Sequence, residues 1–99
     1  MLTFERVIEV FADYLAADHD VEVILTRHGY TYLTWDGARH CWESCEACAT
    51  PEDLLDMLTG AMQTYEEMKL LGGKRAPTDA EIAAFAQNAE AYRKKCLER

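Results

Sequence analysis

The sequence predicts an α+β fold, a two-layer domain in which a three-stranded antiparallel meander is covered by helices in the order α-β-β-β-α-α. Three observations lead there. Apolar residues recur at helical spacing in three stretches, 4–17, 50–71 and 78–97. Between the first two lies "VEVILTRHGYTYLTWDG", rich in β-branched and aromatic residues. Gly29 and the pair Asp36-Gly37 punctuate that run as turns.

The first helix is expected over residues 4–17. Phe4, Val7, Ile8, Phe11, Tyr14 and Leu15 form one stripe, Thr3 suits the N-cap and Glu5 suits the first turn. The β run then sets a register problem. A loop of His28-Gly29 mixes both faces of the hairpin. A three-residue loop, Arg27-His28-Gly29 with Gly29 left-handed in a bulge, aligns Val21, Val23 and Leu25 with Trp35, Leu33 and Thr31. One face then becomes the core, so burial selects the three-residue loop. The turn at Asp36-Gly37 returns the chain as a third strand from residue 38, with His40 and Trp42 on the core side beside Leu33 and Trp35.

Thr50, Pro51, Glu52 and Asp53 open the second long helix, and Gly72-Gly73 closes it. Leu54, Leu58, Ala61, Tyr65 and Met68 make its stripe, with Leu55 and Met62 beside it. Gly60 is a weak spot in that helix. Thr78-Asp79-Ala80-Glu81 reads as a capping box for the last helix, 79–97, whose stripe is Ile82, Phe85, Ala89, Tyr92 and Cys96. This helix is expected to pack on the other two rather than across the opposite face of the sheet.

A chain of 99 residues, 49% apolar, with three Phe, five Tyr and two Trp, is one domain, 1–99, with material for one core. No apolar run reaches the roughly 20 residues of a membrane span, and the acidic, amphipathic start is not a signal peptide. The expected setting is cytoplasmic, with reduced cysteines and no membrane partner. The net charge of −8 repels phosphate backbones, so no direct nucleic-acid binding is expected. The charge is uneven: from 40 to 68 there is no Lys or Arg, while Glu43, Glu46, Glu52, Asp53, Asp56, Glu66 and Glu67 accumulate. Such a surface keeps the chain in solution or docks a basic partner.

"HCWESCEAC", residues 40–48, holds three of the four cysteines. Its C-x3-C-x2-C spacing resembles the cluster motif of the radical S-adenosylmethionine enzymes. That family carries an aromatic residue before the third cysteine, where Ala47 stands here, and a long series of strand–helix units that this chain lacks. The reading is set aside. Zinc held by His40, Cys41, Cys45 and Cys48 is the alternative metal reading, open to a helical segment that puts the thiols on one face and closed to a strand that separates them. The simpler reading is reduced thiols with no joint role, and no cofactor is expected. Adjacent His40 and Cys41 diverge on strand or helix, and no catalytic or phosphate-binding motif occurs, so no enzyme is expected.

"GYTYLTWDG", "TPEDLLDML", "LGGKR" and "TDAEIAAF", in this order, resemble small uncharacterised proteins carried on bacterial mobile elements. The resemblance implies a bacterial accessory protein and no activity. Three functions follow as expectations. The first is a protein-interaction or regulatory module binding a protein partner or a second copy. The second is an acidic nucleic-acid mimic that inhibits a nucleic-acid-binding protein, and the third is a small zinc-binding protein. With helices on one sheet face, the partner-binding residues are expected on the other: Ile24, Tyr30, Tyr32 and Thr34.

Overall fold

The computed structural model describes residues 1–98. It has α1 (Phe4–Val10), α2 (Ala12–Ala17), β1 (Val21–Thr26), β2 (Gly29–Asp36), β3 (Cys41–Ala47), α3 (Pro51–Leu71) and α4 (Asp79–Leu97). The three strands form one antiparallel sheet in the order β1-β2-β3. The fold is α+β with the predicted order α-β-β-β-α-α.

The expected helix over 4–17 bends at one residue. Phe11 has φ −91° and ψ 8°, outside helical geometry. Its N–H still donates to Val7 O at 3.0 Å, and Leu15 N–H donates to Phe11 O at 2.9 Å. The ladder therefore runs through the bend. The bend accompanies a fully buried Phe11 ring, which packs 5.0 Å from the Tyr92 ring of α4.

The caps are where the sequence puts them. Thr50 Oγ1 accepts from Asp53 N–H while the Asp53 carboxylate accepts from Thr50 N–H. Thr78 and Glu81 repeat this reciprocal pair at the start of α4, and each satisfies two N–H groups that a helix start leaves without partners. Gly72 closes α3 in the left-handed conformation, φ 58°, where a Cβ would be strained.

The core lies between the helices and one face of the sheet. Val7, Phe11, Tyr14, Leu54, Leu55, Leu58, Met62 and Cys96 are buried together with Cys48 from the end of β3. Helix α4 packs against α1 and α3: Arg93 Nη2 donates to Asp56 Oδ1 at 2.8 Å, and Asn88 Nδ2 to Glu66 Oε1 at 2.6 Å. The last helix thus joins the other helices, as expected. The molecule is only 19 Å thick in its short direction, room for one helix layer and one sheet layer at about 10 Å separation.

The hairpin register corrects the sequence reading. Thr26 pairs with Gly29, and the pairs Leu25–Tyr30, Val23–Tyr32 and Val21–Thr34 follow. The loop is Arg27-His28, one residue shorter than the expected loop. Gly29 does have a positive φ, 103°, but it is paired rather than extra. Thr26 shortens the loop: its Oγ1 accepts from His28 N–H at 3.0 Å and donates to Gly29 O at 3.1 Å, a local side-chain turn that clamps Gly29 opposite Thr26.

A one-residue shift exchanges faces. Val21 and Val23 pack on the helical core together with Tyr32. Leu33, Trp35 and Trp42 do share a face, as expected, but it is the face away from the helices. The face containing Tyr30, Tyr32 and Thr34 is the covered one. The sequence reading treated tyrosine as an outward, polar residue. Its ring has enough apolar surface to choose the core.

Candidate functional site

The four expected partner-binding residues divide between the two faces. Tyr30 stacks on Phe4 at 4.8 Å and donates to Glu5 Oε2 at 2.9 Å. Tyr32 packs against the core cluster. Thr34 shares a 2.7 Å hydroxyl–hydroxyl hydrogen bond with Ser44 and lines a cleft against α3. These three belong to the helix side, a correction forced by the hairpin register. Ile24 alone lies on the uncovered face, 39% exposed.

The uncovered face is built in rows by the strand pairing. Ile24, Thr31 and Ala47 form one row, Glu22, Leu33 and Cys45 the next. Trp35 pairs with Trp42, their rings 5.0 Å apart in a T-shaped arrangement, and the His40 ring lies 5.3 Å from Trp35. Antiparallel sheets with one solvated face ordinarily turn polar residues outward. Here the outward positions of the central strand are Thr31, Leu33 and Trp35, and Trp42 beside them is 46% exposed. Glu22 is the only charged residue in these rows. Sequence reasoning placed Leu33, Trp35 and Trp42 on the helix side; they lie on the other face, where Leu33 is still buried at 7% exposure, Trp35 is half-buried and Trp42 is exposed. Their mutual alignment was legible, but which side the helices cover was not.

A second feature lies on the helix side. A cleft of about 560 Å³ opens between the sheet and α3. Asp18, Asp20 and Glu43 are among the residues that line it, with Tyr32, Trp35 and Tyr65 contributing aromatic surface. Asp18, 9% exposed, follows α2. Its Oδ2 accepts from Tyr14 Oη at 2.6 Å, and its Oδ1 accepts from Asp20 N–H at 3.1 Å. Burial first, and then the Asp18 carboxylate, push the Tyr14 hydroxyl far above the usual phenol range. Tyr32 is raised by burial, then by the charges of Asp18 and Glu46. Tyr14 and Tyr32 therefore stay neutral at physiological pH. Glu43 reaches the cleft because it is the extra residue of a bulge: Thr34 pairs with Ser44 but Trp35 with Trp42.

The same bulge settles the cysteines. Residues 41–47 are strand, and the extra residue puts Cys41 and Cys45 out of phase, opposite Asp36 and Leu33 respectively. Sequence reasoning placed these two thiols on one face. Cys48 is buried in the core, its thiol 3.7 Å from Met57 Sδ and pushed up by burial and then by Asp53 and Glu46. Cys96 is buried at the far side of the core. Among the described residues no three His, Cys, Asp or Glu side chains are arranged to hold a metal ion.

The acidic segment is partly engaged within the fold. Asp53 caps α3, Asp56 pairs with Arg93, and Glu66 accepts from Asn88. No described helix is long and apolar enough to cross a membrane. Comparison of the chain with protein-family models, curated proteins and solved structures gave no match.

Proposed function

We propose that the chain is a protein-interaction module that works through the uncovered sheet face, with a second copy of the chain as its occupant. The observation that carries this reading is the Trp35–Trp42 pair beside Ile24 and Leu33 on a face with no helix over it. Tryptophan is enriched where surfaces become buried on association and supplies binding anchors. A second copy suits the face because its rows carry a single charged residue, Glu22, in a chain that carries −8. Two sheets also pack well face to face. Three strands about 4.8 Å apart, over six residues of about 3.4 Å, give a flat footprint of roughly 300 Å². Even doubled for side-chain relief, this is below the ~800 Å² per partner of a stable interface. The association is therefore weak and reversible, suited to an accessory or regulatory role rather than a permanent dimer.

Both tryptophans of the chain sit on this face, so intrinsic fluorescence reports on it directly. Raising the protein concentration is expected to shift the emission to the blue in step with dimer formation by sedimentation. Ile24→Glu, at an exposed position, is expected to leave the circular dichroism unchanged and to weaken the dimer at least tenfold, the effect of burying an unpaired charge. Emission and sedimentation that stay constant up to about 1 mM, beyond which any association is worth less than about 4 kcal/mol, overturn the proposal.

A further inference from the structure

We propose that the cleft between the sheet and α3 binds an organic cation with an apolar stem, an alkylammonium or alkylguanidinium group. This site lies on the helix side and shares one lining residue, Trp35, with the uncovered face. Its volume of about 560 Å³ falls in the range of small-molecule sites. Three observations select the ligand.

The first is uncompensated charge. Asp18 is nine-tenths buried, yet among the described residues no Lys, Arg or His pairs with it. Its two hydrogen bonds, from Tyr14 and from the Asp20 backbone, come from neutral donors. A carboxylate has about four acceptor positions, so acceptor capacity remains. Asp20 and Glu43 add two more carboxylates to the same cleft, also without a cationic partner among the described residues. A buried charge is stabilised most by a charge-assisted hydrogen bond from a cation.

The second is the spread of the carboxylates. They come from the loop before β1 and from the bulge in β3, and they do not meet in a group able to hold a metal ion. A small inorganic cation needs several oxygens at about 2.0–2.6 Å. An extended organic cation with several N–H donors reaches carboxylates that are farther apart.

The third is the rest of the wall. Val21, Ala61 and Met68 supply apolar surface, and Tyr32 and Tyr65 supply aromatic surface, suited to an alkyl stem and to the face of a cation. The Tyr65 ring already holds a cation: the Lys69 ammonium lies 5.9 Å from its centroid. Gly60 also borders the cleft, and a Cβ built there meets nothing within 4 Å. The absent side chain leaves room in the site.

The ligand's chemistry has two sources, a free polyamine or the arginine side chain of a peptide. Spermidine and acetyl-Gly-Arg-Gly-amide are the two probes, each titrated into 15N-labelled full-length protein. Saturable amide shifts concentrated at Asp18, Asp20, Gly60 and Thr64 are expected with at least one probe, and the tighter probe identifies the source. The double variant Asp20→Asn with Glu43→Gln, both at exposed positions, is expected to keep the fold and lose at least tenfold in affinity. Gly60→Leu fills the space without removing a charge and is expected to weaken the same probe. Shifts spread over the whole acidic surface, affinity unchanged in both variants, or no saturation by either probe at millimolar concentration each overturn the proposal.

Discussion

At the scale of single residues, the buried Tyr14–Asp18 pair is the most consequential polar contact. It closes the last turn of α2 onto its C-cap, Asp18, across a 2.6 Å hydrogen bond. Tyr14→Phe keeps the ring, which also meets Tyr65 edge-on at 5.7 Å, and removes only the donor. A buried carboxylate then loses its hydroxyl partner, and urea unfolding is expected to show a loss of about 1–3 kcal/mol. Unchanged stability would mean that water from the cleft replaces the tyrosine hydroxyl. Glu81 offers a second test. Arg75 grips it with two hydrogen bonds of 2.7 and 2.9 Å, and Arg75, then the Thr78 backbone N–H, hold its carboxyl down to about 2. The folded value is depressed, so the unfolded chain binds the proton more readily. The stabilisation is fully present above the ordinary glutamate value near 4.3 and is lost as pH falls toward about 2. The melting-temperature advantage of the native chain over Glu81→Gln is expected to be constant above about pH 5 and to vanish near pH 2. An advantage independent of pH would place the effect in packing instead.

At the scale of elements, α3 organises the molecule. Its buried positions Leu54, Leu55, Leu58, Thr59 and Met62 lie in the first half; in the last turns Met68 and Leu70 are exposed and Leu71 is buried. The expected stripe through Met68 therefore leaves the core where the sheet ends, and this exposed half forms the cleft wall. Helix α4 shows the opposite gradient. Ile82, in its first turn, is 51% exposed, while Tyr92 and Cys96 near its end are packed. Between the two long helices, Ile82 and Phe85 of α4 line a cavity with Gly60 and Thr64 of α3. Gly60 lies in the middle of α3 at an ordinary helical φ with free space beside it. Gly60→Ala is thus expected to raise stability by about 0.5–1 kcal/mol through backbone entropy. A lower melting temperature in that variant would show that Gly60 makes a close approach in solution.

At the scale of the whole molecule, charge and apolar surface are separated. The chain carries −8 overall, yet the rows of the uncovered sheet face contain one carboxylate, Glu22. Two copies meeting through that face still repel each other through their remaining charge. Screening shortens that repulsion to roughly 10 Å at 0.1 M salt. Dimerisation is therefore expected to strengthen as salt rises from 20 to about 500 mM. Docking of an acidic mimic into a basic groove would weaken over the same range. A salt series by sedimentation separates the two, and weakening with salt would count against the apolar interface.

Element order, caps and most stripe residues were determined by the sequence alone, because they rest on local chemistry, whereas the break at Phe11 that divides 4–17 into α1 and α2 was not. Thr50 and Thr78 can cap only the turn that follows them, and Gly72 can close only the turn before it. The need for a positive φ at Gly29 was equally local. What the tertiary structure decided was the pairing of strands and the choice of face. Two neighbouring registers differed by one residue, and the Thr26 side chain, bonded to His28 N–H and Gly29 O, selected the shorter loop. That choice moved Tyr30, Tyr32 and Thr34 under the helices and turned Leu33, Trp35 and Trp42 to the other face of the sheet. The bulge at Glu43 then separated Cys41 from Cys45 and brought a carboxylate to the cleft. Alternation along a strand reveals which residues travel together, whereas only packing against the helices reveals which side they are on.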